Sequence, residues 1–163
     1  MDRSRTYLPP PWLTGDVNQD RADQPGRWTR LTSTSLFSSK WLELRRDEAV
    51  RPDGSVGEYD HVLVPGSVTV VAVDDRGQVA VTRQWIYVHQ DTQWRLPAGQ
   101  IDSSDSDPEA SARRELAEEA GISADRWTRL GVINCADSFS NHRDFAFLAT
   151  GLHIGPARFE PYR

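Results

Sequence analysis

The sequence is poor in cysteine and in long apolar segments. Cys135 is the only cysteine, which excludes an intramolecular disulfide and a metal site built from cysteines alone. No apolar run approaches the roughly 18 residues that a membrane span needs, and the N-terminal stretch has no continuous apolar core of a secretory signal. We therefore expect no membrane partner, and a reducing cytoplasm is the simplest location.

The composition that is present is typical of a globular protein. The 163 residues are 37% hydrophobic and 26% charged, which allows one domain with a modest core and is too apolar for general disorder. Residues 1–26 contain three consecutive prolines and no apolar periodicity, so they predict an N-terminal arm or a disordered tail. The folded domain is predicted over residues 27–163.

The negative charge is concentrated in one segment. Gly99–Ile122 holds seven carboxylates and two arginines, which accounts for the whole net charge of −5. Clustered carboxylates attract a hard divalent cation, whereas nucleic acid needs a basic face, so no nucleic-acid partner is expected. A solvated acidic helix is the alternative explanation of the same charge.

One helix is strongly indicated within this acidic segment. A favourable N-cap aspartate, a proline in the first turn and a glycine after the last turn predict a helix over Pro108–Ala120. Three carboxylates spaced three and four residues apart lie beside its apolar stripe: Glu115, Glu118 and Glu119. They would repel one another, and Mg²⁺ commonly joins such carboxylates to phosphate oxygens. A phosphate ester or anhydride is therefore the natural substrate class.

Alternating and β-branched runs predict strands on both sides of the helix. They are Trp41–Arg46, Val56–Val64, Val68–Val73, Gln78–Trp85, Leu130–Asn134 and Phe145–Ala149. The turn signal Asp-Asp-Arg-Gly at positions 74–77 predicts a hairpin between the third and the fourth of these strands. Cys135 is expected in a strand, where it would be buried.

The glutamates lie in a longer motif. Positions 114–122 read R-E-L-A-E-E-A-G-I, which resembles the second half of the Nudix box, G-x5-E-x7-R-E-U-x-E-E-x-G-U with U aliphatic. In the first half, Gly99 lies one residue upstream of the family position, and the family's first glutamate falls at Ser106, beside Asp105. We expect one extra residue in the loop between the two halves.

Segments outside the box resemble the ADP-ribose pyrophosphatase branch of the Nudix hydrolases. The likeness covers about residues 39–152 and includes R-Q-W at 83–85 and W-R-L-P-A-G at 94–99. It implies an α/β fold, a Nudix-type α/β/α sandwich with a mixed sheet. The usual C-terminal helix is expected to be missing, because the residues after Thr150 are few and contain two glycines and two prolines.

The resemblance also implies roles for individual residues. The implied metal ligands are Ala98, through its carbonyl, Glu115, Glu118 and Glu119. Glu118 and Glu119 would also serve catalysis, and Arg83 and Trp85 would contact the substrate. The residues with structural roles would be Gly99, Arg114 and Gly121.

The catalytic base is left open by the motif. The branch often places a glutamate in the loop where this chain reads Phe-Ser-Asn-His-Arg-Asp at 139–144. His142 could replace it as acid or base because imidazole titrates near neutral pH, although a loop histidine is more often a polar surface group. Arg95 stands where the branch usually has a glutamate, which leaves the substrate open as well.

The sequence thus predicts Mg²⁺-dependent hydrolysis, with Mn²⁺ as a possible substitute, of the diphosphate in a nucleoside diphosphate sugar. ADP-ribose would be cleaved to AMP and ribose 5-phosphate. Hydrolysis of another nucleotide or nucleotide sugar is one alternative, and a non-catalytic ligand-binding module with the same fold is another.

The missing helix predicts that one face of the sheet lacks its usual cover. The arm, with Tyr7, Leu8 and Trp12, or a partner subunit would then cover that face. Members of the branch commonly dimerise through N-terminal strands, so the resemblance favours a homodimer.

Overall fold

The computed structural model describes residues 26–156, and their backbone divides into two compact units. One unit contains the described residues up to Pro65 together with Asn134–His142, and the other contains Gly66–Ile133 and the residues from Arg143 onward. The predicted arm residues Tyr7, Leu8 and Trp12 lie outside the described residues, and the domain boundary at residue 27 stays a prediction.

The first unit is built on a three-stranded antiparallel sheet. Its strands are β1 (Thr29–Ser38), β2 (Glu43–Val50) and β3 (Val56–Leu63), in the spatial order β1-β2-β3. Segment 134–142 joins this sheet at β3: the Val62 N–H donates to the Phe139 carbonyl at 2.7 Å, and the Asn141 N–H donates to the Val62 carbonyl at 3.2 Å. Among the strands of residues 26–156, β1 therefore lies at an edge of this sheet, and nearly every one of its residues is exposed.

The second unit contains the remaining strands and the α-helix. In chain order they are β4 (Ser67–Ala72), β5 (Thr82–Ile86), β6 (Asp91–Arg95), β7 (Ala98–Gln100), α1 (Pro108–Ala120), β8 (Ile122–Asn134) and β9 (Arg143–Ile154). Four strands form a mixed sheet in the order β7-β4-β9-β8, in which β4 runs antiparallel to β7 and parallel to β9. Strands β5 and β6 form a separate antiparallel ribbon around a short 3-10 helix at Tyr87–His89.

Helix α1 has the predicted bounds, and its caps explain them. An Asp107 carboxylate oxygen accepts the Ala110 N–H at 2.9 Å, and Gly121 ends the helix with a left-handed φ of 65°. Ala112 and Leu116 are fully buried on the side of the helix that packs on β4, where Val68 and Val70 are also fully buried. This packing fixes the helix on one face of the sheet.

The opposite sheet face carries less cover. Side chains that alternate with the buried positions of β4 and β9 are only half-buried, namely Thr69, Val71, Ala146 and Leu148. Between residues 26 and 156, α1 is the single α-helix, and no helix is long and apolar enough to cross a membrane. The prediction of a mixed sheet with one helix is confirmed.

Several predictions of local structure need correction. The turn at 74–77 forms, and the chain folds back there: Val73 and Val79 form an antiparallel bridge, and the Ala80 N–H donates to the Ala72 carbonyl at 2.9 Å. The predicted hairpin is confirmed only next to this turn, because the rest of β4 pairs with β7 and β9, and β5 pairs with β6. Cys135 lies in a turn and is half-buried, not in a strand. Strand β1 was not predicted, because its Thr- and Ser-rich sequence has no apolar alternation.

Candidate active site

Helix α1 carries three glutamates along one edge, and Arg114 connects two of them. Glu115 is buried, whereas Glu118 and Glu119 are half-buried. One guanidinium nitrogen, Arg114 Nη1, lies 2.6 Å from Glu115 Oε1 and 3.2 Å from Glu118 Oε2. The arginine thereby holds together two carboxylates that would otherwise repel each other.

Asp105 holds the other end of the same guanidinium. Its Oδ2 atom lies 2.9 Å from Arg114 Nη2 and accepts the Ser111 hydroxyl at 2.7 Å. Burial raises the pKa of Asp105, but its hydrogen bonds with Arg114 and Ser111 and the arginine's charge outweigh this and hold the pKa below its usual value. Asp105 is next to the position where the box pattern expects a glutamate, so an aspartate one residue earlier supplies a carboxylate to Arg114 despite the shifted loop.

Both oxygens of Glu119 are held by hydrogen bonds from neighbouring strands. Gln84 on β5 donates its side-chain amide to Oε1 at 2.5 Å, and the Ala98 N–H on β7 donates to Oε2 at 3.0 Å. Two donors on two different strands fix both the position and the plane of this carboxylate. Gln84 was missed from the sequence; its only signal was strand alternation next to Arg83 and Trp85.

Gly99 is required by space at this site. A Cβ built at this position would overlap the carboxyl group of Glu115. The φ of Gly99 is not in the left-handed region, so the reason for a glycine here is close approach and not backbone conformation. The glycine leaves the room in which the buried Glu115 carboxylate lies.

The electrostatics of the three glutamates favour a cation. Burial raises the pKa of Glu115, the hydrogen bond and charge of Arg114 oppose that shift, and the negative charges of Glu118 and Glu119 add to it. A hard divalent cation would relieve this repulsion, and carboxylate oxygens are the donors that it prefers. The donor chemistry therefore fits Mg²⁺.

The described side chains alone do not form a complete set of metal ligands at this site. Within residues 26–156 there is no group of three histidine, cysteine, aspartate or glutamate side chains arranged to hold a metal ion. Mg²⁺ usually keeps several waters and takes only one or two carboxylates together with substrate phosphate oxygens. An open arrangement of glutamates is compatible with that mode of binding.

The other predicted site residues lie in different places. Arg83 and Trp85 are exposed and alternate with the half-buried Gln84, so they occupy the face of β5 turned away from Glu119. Arg83 stacks over the Trp94 ring, its cross-strand neighbour on that outer face, at 5.8 Å from the ring centre. His142 belongs to the other unit, is half-buried, and its backbone N–H donates to the Ser140 hydroxyl at 3.0 Å.

Comparison with known proteins identifies the fold around these glutamates. Residues 64–155 match the family model described as the NUDIX domain. The chain belongs to the Nudix family. Residues 28–62 match a second model, described as the nucleoside diphosphate sugar hydrolase N-terminal domain, and these residues cover β1, β2 and all of β3 except Leu63.

Two curated Nudix relatives are named ADP-ribose pyrophosphatase. The one from Mycobacterium tuberculosis is 34% identical over 122 residues, which are 75% of this chain and 59% of the relative. The one from Bacillus subtilis is 29% identical over 124 residues, covering 76% of this chain and 66% of the relative. The predicted resemblance to this branch is confirmed, and this Nudix chain matches about 59–66% of the length of these relatives.

Other relatives differ in name. A methanol dehydrogenase activator from Bacillus methanolicus is 25% identical over 122 residues, covering 75% of this chain and 65% of that protein. A crystal structure of an ADP compounds hydrolase superposes with a TM-score of 0.74 at 20% identity, covering 86% of this chain and 77% of the other. The Nudix-type α/β fold is confirmed, and members of this family generally use divalent metal ions.

Proposed function

We propose that this chain is a Mg²⁺-dependent pyrophosphatase that hydrolyses the diphosphate of a nucleoside diphosphate sugar, with ADP-ribose as the first candidate. The main support is the arrangement of Glu115, Glu118 and Glu119, which ion pairs and hydrogen bonds from neighbouring residues keep in place. Their carboxylate oxygens are suitable ligands for a cation that also binds phosphate oxygens. Mn²⁺ is expected to substitute for Mg²⁺. The names of the two pyrophosphatase relatives support ADP-ribose as the substrate.

Different residues of the site would bind the metal and keep its ligands in place during the reaction. Glu115, Glu118 and Glu119 would hold the metal together with the Ala98 carbonyl, and a bound Mg²⁺ would offset the negative charge that develops on the phosphate oxygens. A water oxygen forms a bond to one phosphorus, the bond from that phosphorus to the bridging oxygen breaks, and the other phosphate leaves as a monoester. Arg114 keeps the carboxylates in place during this step.

The proton of the attacking water needs an acceptor, and two residues are candidates. Glu118 lies on the same helix edge as the other two glutamates, while His142 would act from the loop in which the branch often places a glutamate. Whichever residue accepts the proton, its own protonation would reduce kcat on the acidic limb of the pH profile. The pH profile of His142→Ala, read in the assay below, separates the two: a flattened limb assigns the role to His142, and an unchanged profile excludes it.

A screen of nucleotide sugars tests the activity. The purified chain is incubated with ADP-ribose, other nucleoside diphosphate sugars and nucleoside triphosphates, and phosphomonoester products are detected by phosphatase-coupled phosphate release. We expect release from a diphosphate sugar with Mg²⁺ and none with EDTA. Binding of these compounds without turnover would contradict the enzyme and support the ligand-binding module, and release only from another nucleotide would overturn the choice of ADP-ribose.

We also propose that the chain acts as a homodimer in the cytoplasm. In the part of the chain that the structure describes, β1 is an edge strand, and its Leu31, Leu36 and Phe37 are about half exposed, at 52%, 49% and 57%. An edge strand with exposed apolar side chains is a template for pairing with a second copy, and a charge introduced on that edge would oppose the pairing. Light scattering should give twice the chain mass of 18.4 kDa for the wild type, and a mass closer to that of one chain for Phe37→Lys. A monomeric wild-type chain would contradict the dimer, and fractionation of cells checks the compartment.

A further inference from the structure

The ribbon formed by β5 and β6 contacts the glutamate site through Gln84. Along β5 the exposed residues Arg83 and Trp85 alternate with Gln84, whose amide nitrogen lies 2.5 Å from Glu119 Oε1. The cross-strand neighbour of Gln84 is Gln93, which is also half-buried, but its amide lies 2.9 Å from His89 Nδ1 at the end of the same ribbon. Two glutamines paired in register thus have different partners.

The second hydrogen bond of Glu119 makes the role of Gln84 specific. A carboxylate offers about four lone-pair positions. The Ala98 N–H occupies one on Oε2 and Gln84 occupies one on Oε1, so lone pairs on both oxygens stay available to a cation. One donor alone would leave the carboxylate free to rotate about the remaining hydrogen bond, whereas two donors fix its plane.

We propose that Gln84 is a positioning residue for Glu119, which orients this carboxylate for the divalent cation and the diphosphate. The proposal rests on the proposed function for its catalytic consequence, but not for its effect on metal binding. Hydrogen-bond partners of metal-ligating carboxylates typically contribute about 10- to 100-fold to metal affinity or activity.

The first readout is metal binding without substrate. Mn²⁺ alone is titrated into the full chain, its bound fraction is measured by electron paramagnetic resonance, and the variants are Gln84→Leu, Gln84→Asn and Gln93→Leu. Gln84→Leu removes the donor and should weaken Mn²⁺ binding about 10- to 100-fold. Gln84→Asn keeps the amide on a shorter side chain and should retain more affinity, while Gln93→Leu is the matched control and should bind as the wild type does.

The second readout is the split between kcat and KM at saturating Mg²⁺. A positioning residue should lower kcat of Gln84→Leu with little change in KM, whereas a purely structural role would lower only the melting temperature. Wild-type Mn²⁺ affinity in folded Gln84→Leu, or equal losses in Gln84→Leu and Gln93→Leu, would overturn the proposal. If Gln84→Leu does not fold, Gln84→Met replaces it, because methionine also lacks the donor, and wild-type Mn²⁺ affinity in Gln84→Met overturns the proposal.

The two proposals fail in different ways. If the wild type binds Mn²⁺ but hydrolyses no nucleotide sugar, weaker Mn²⁺ binding by Gln84→Leu still supports positioning while the proposed function fails. If the wild type hydrolyses a nucleotide sugar and Gln84→Leu matches it in both readouts, the positioning role fails and the function stands. A wild-type chain that neither binds Mn²⁺ nor hydrolyses a nucleotide sugar overturns both.

Discussion

Replacing Glu119 by glutamine should reduce kcat/KM for the nucleotide sugar about 1,000-fold, with the fold intact. The loss corresponds to about 4 kcal/mol of transition-state stabilisation. The new side chain lacks the negative charge, and its NH₂ group must face either the Gln84 amide or the Ala98 N–H, both of which donate to Glu119 in the native chain. Steady-state hydrolysis with Mg²⁺ measures the loss of kcat/KM, and circular dichroism checks that the fold is intact. Glu115→Gln should lose activity to a similar extent.

The same helix offers a matched control. Glu109 lies in the first turn of α1 and pairs with Arg113 at 2.7 Å on the exposed side, so Glu109→Gln makes the same chemical change away from the site. An exposed pair of this kind contributes at most about 0.5 kcal/mol to stability. Glu109→Gln should therefore hydrolyse at the wild-type rate. A Glu119→Gln variant that does so as well would show that this carboxylate takes no part in the reaction.

The parts of the site that the sequence predicted depend on local interactions. The N-cap at Asp107, the left-handed Gly121 and the spacing of the glutamates all act within one short segment, which is why the bounds of α1 could be derived from residue order alone. The sheet depends on distant partners instead. Ser67 on β4 contacts Asp144 on β9 across 77 residues, and a turn signal at 74–77 carries no information about that pairing.

Two residues of the site make contacts that the sequence motif could not predict. Asp105 lies one residue before the motif position, and only its contacts with Arg114 and Ser111 reveal that its carboxylate reaches the same guanidinium. Gln84 lies in a short ribbon that the sequence assigned to a hairpin with β4, so its orientation toward Glu119 could not be derived from strand pairing. In both cases the decisive fact is which side chains meet, and this depends on packing between elements that are distant in sequence.

A single methyl group at position 99 should also inactivate the enzyme. In Gly99→Ala the new Cβ would overlap the Glu115 carboxyl group, which is the end of a flexible side chain and can move without unfolding the domain. Overpacking of this kind costs about 1–3 kcal/mol, and displacement of a catalytic group by about 1 Å reduces the rate about 100-fold. Hydrolysis assays and thermal unfolding should show a rate loss of at least that size with a folded protein.

Gly131→Ala is the control for this substitution, because a Cβ at that position in β8 meets nothing within 4 Å and the φ is not left-handed. It should leave rate and stability unchanged.

Combining Gly99→Ala with Glu115→Asp removes one methylene from the crowded side chain, so the double variant should recover melting temperature relative to Gly99→Ala alone. Wild-type activity in Gly99→Ala would mean that Glu115 works equally well in a displaced position. The space that Gly99 leaves for this carboxylate would then not be needed for the reaction.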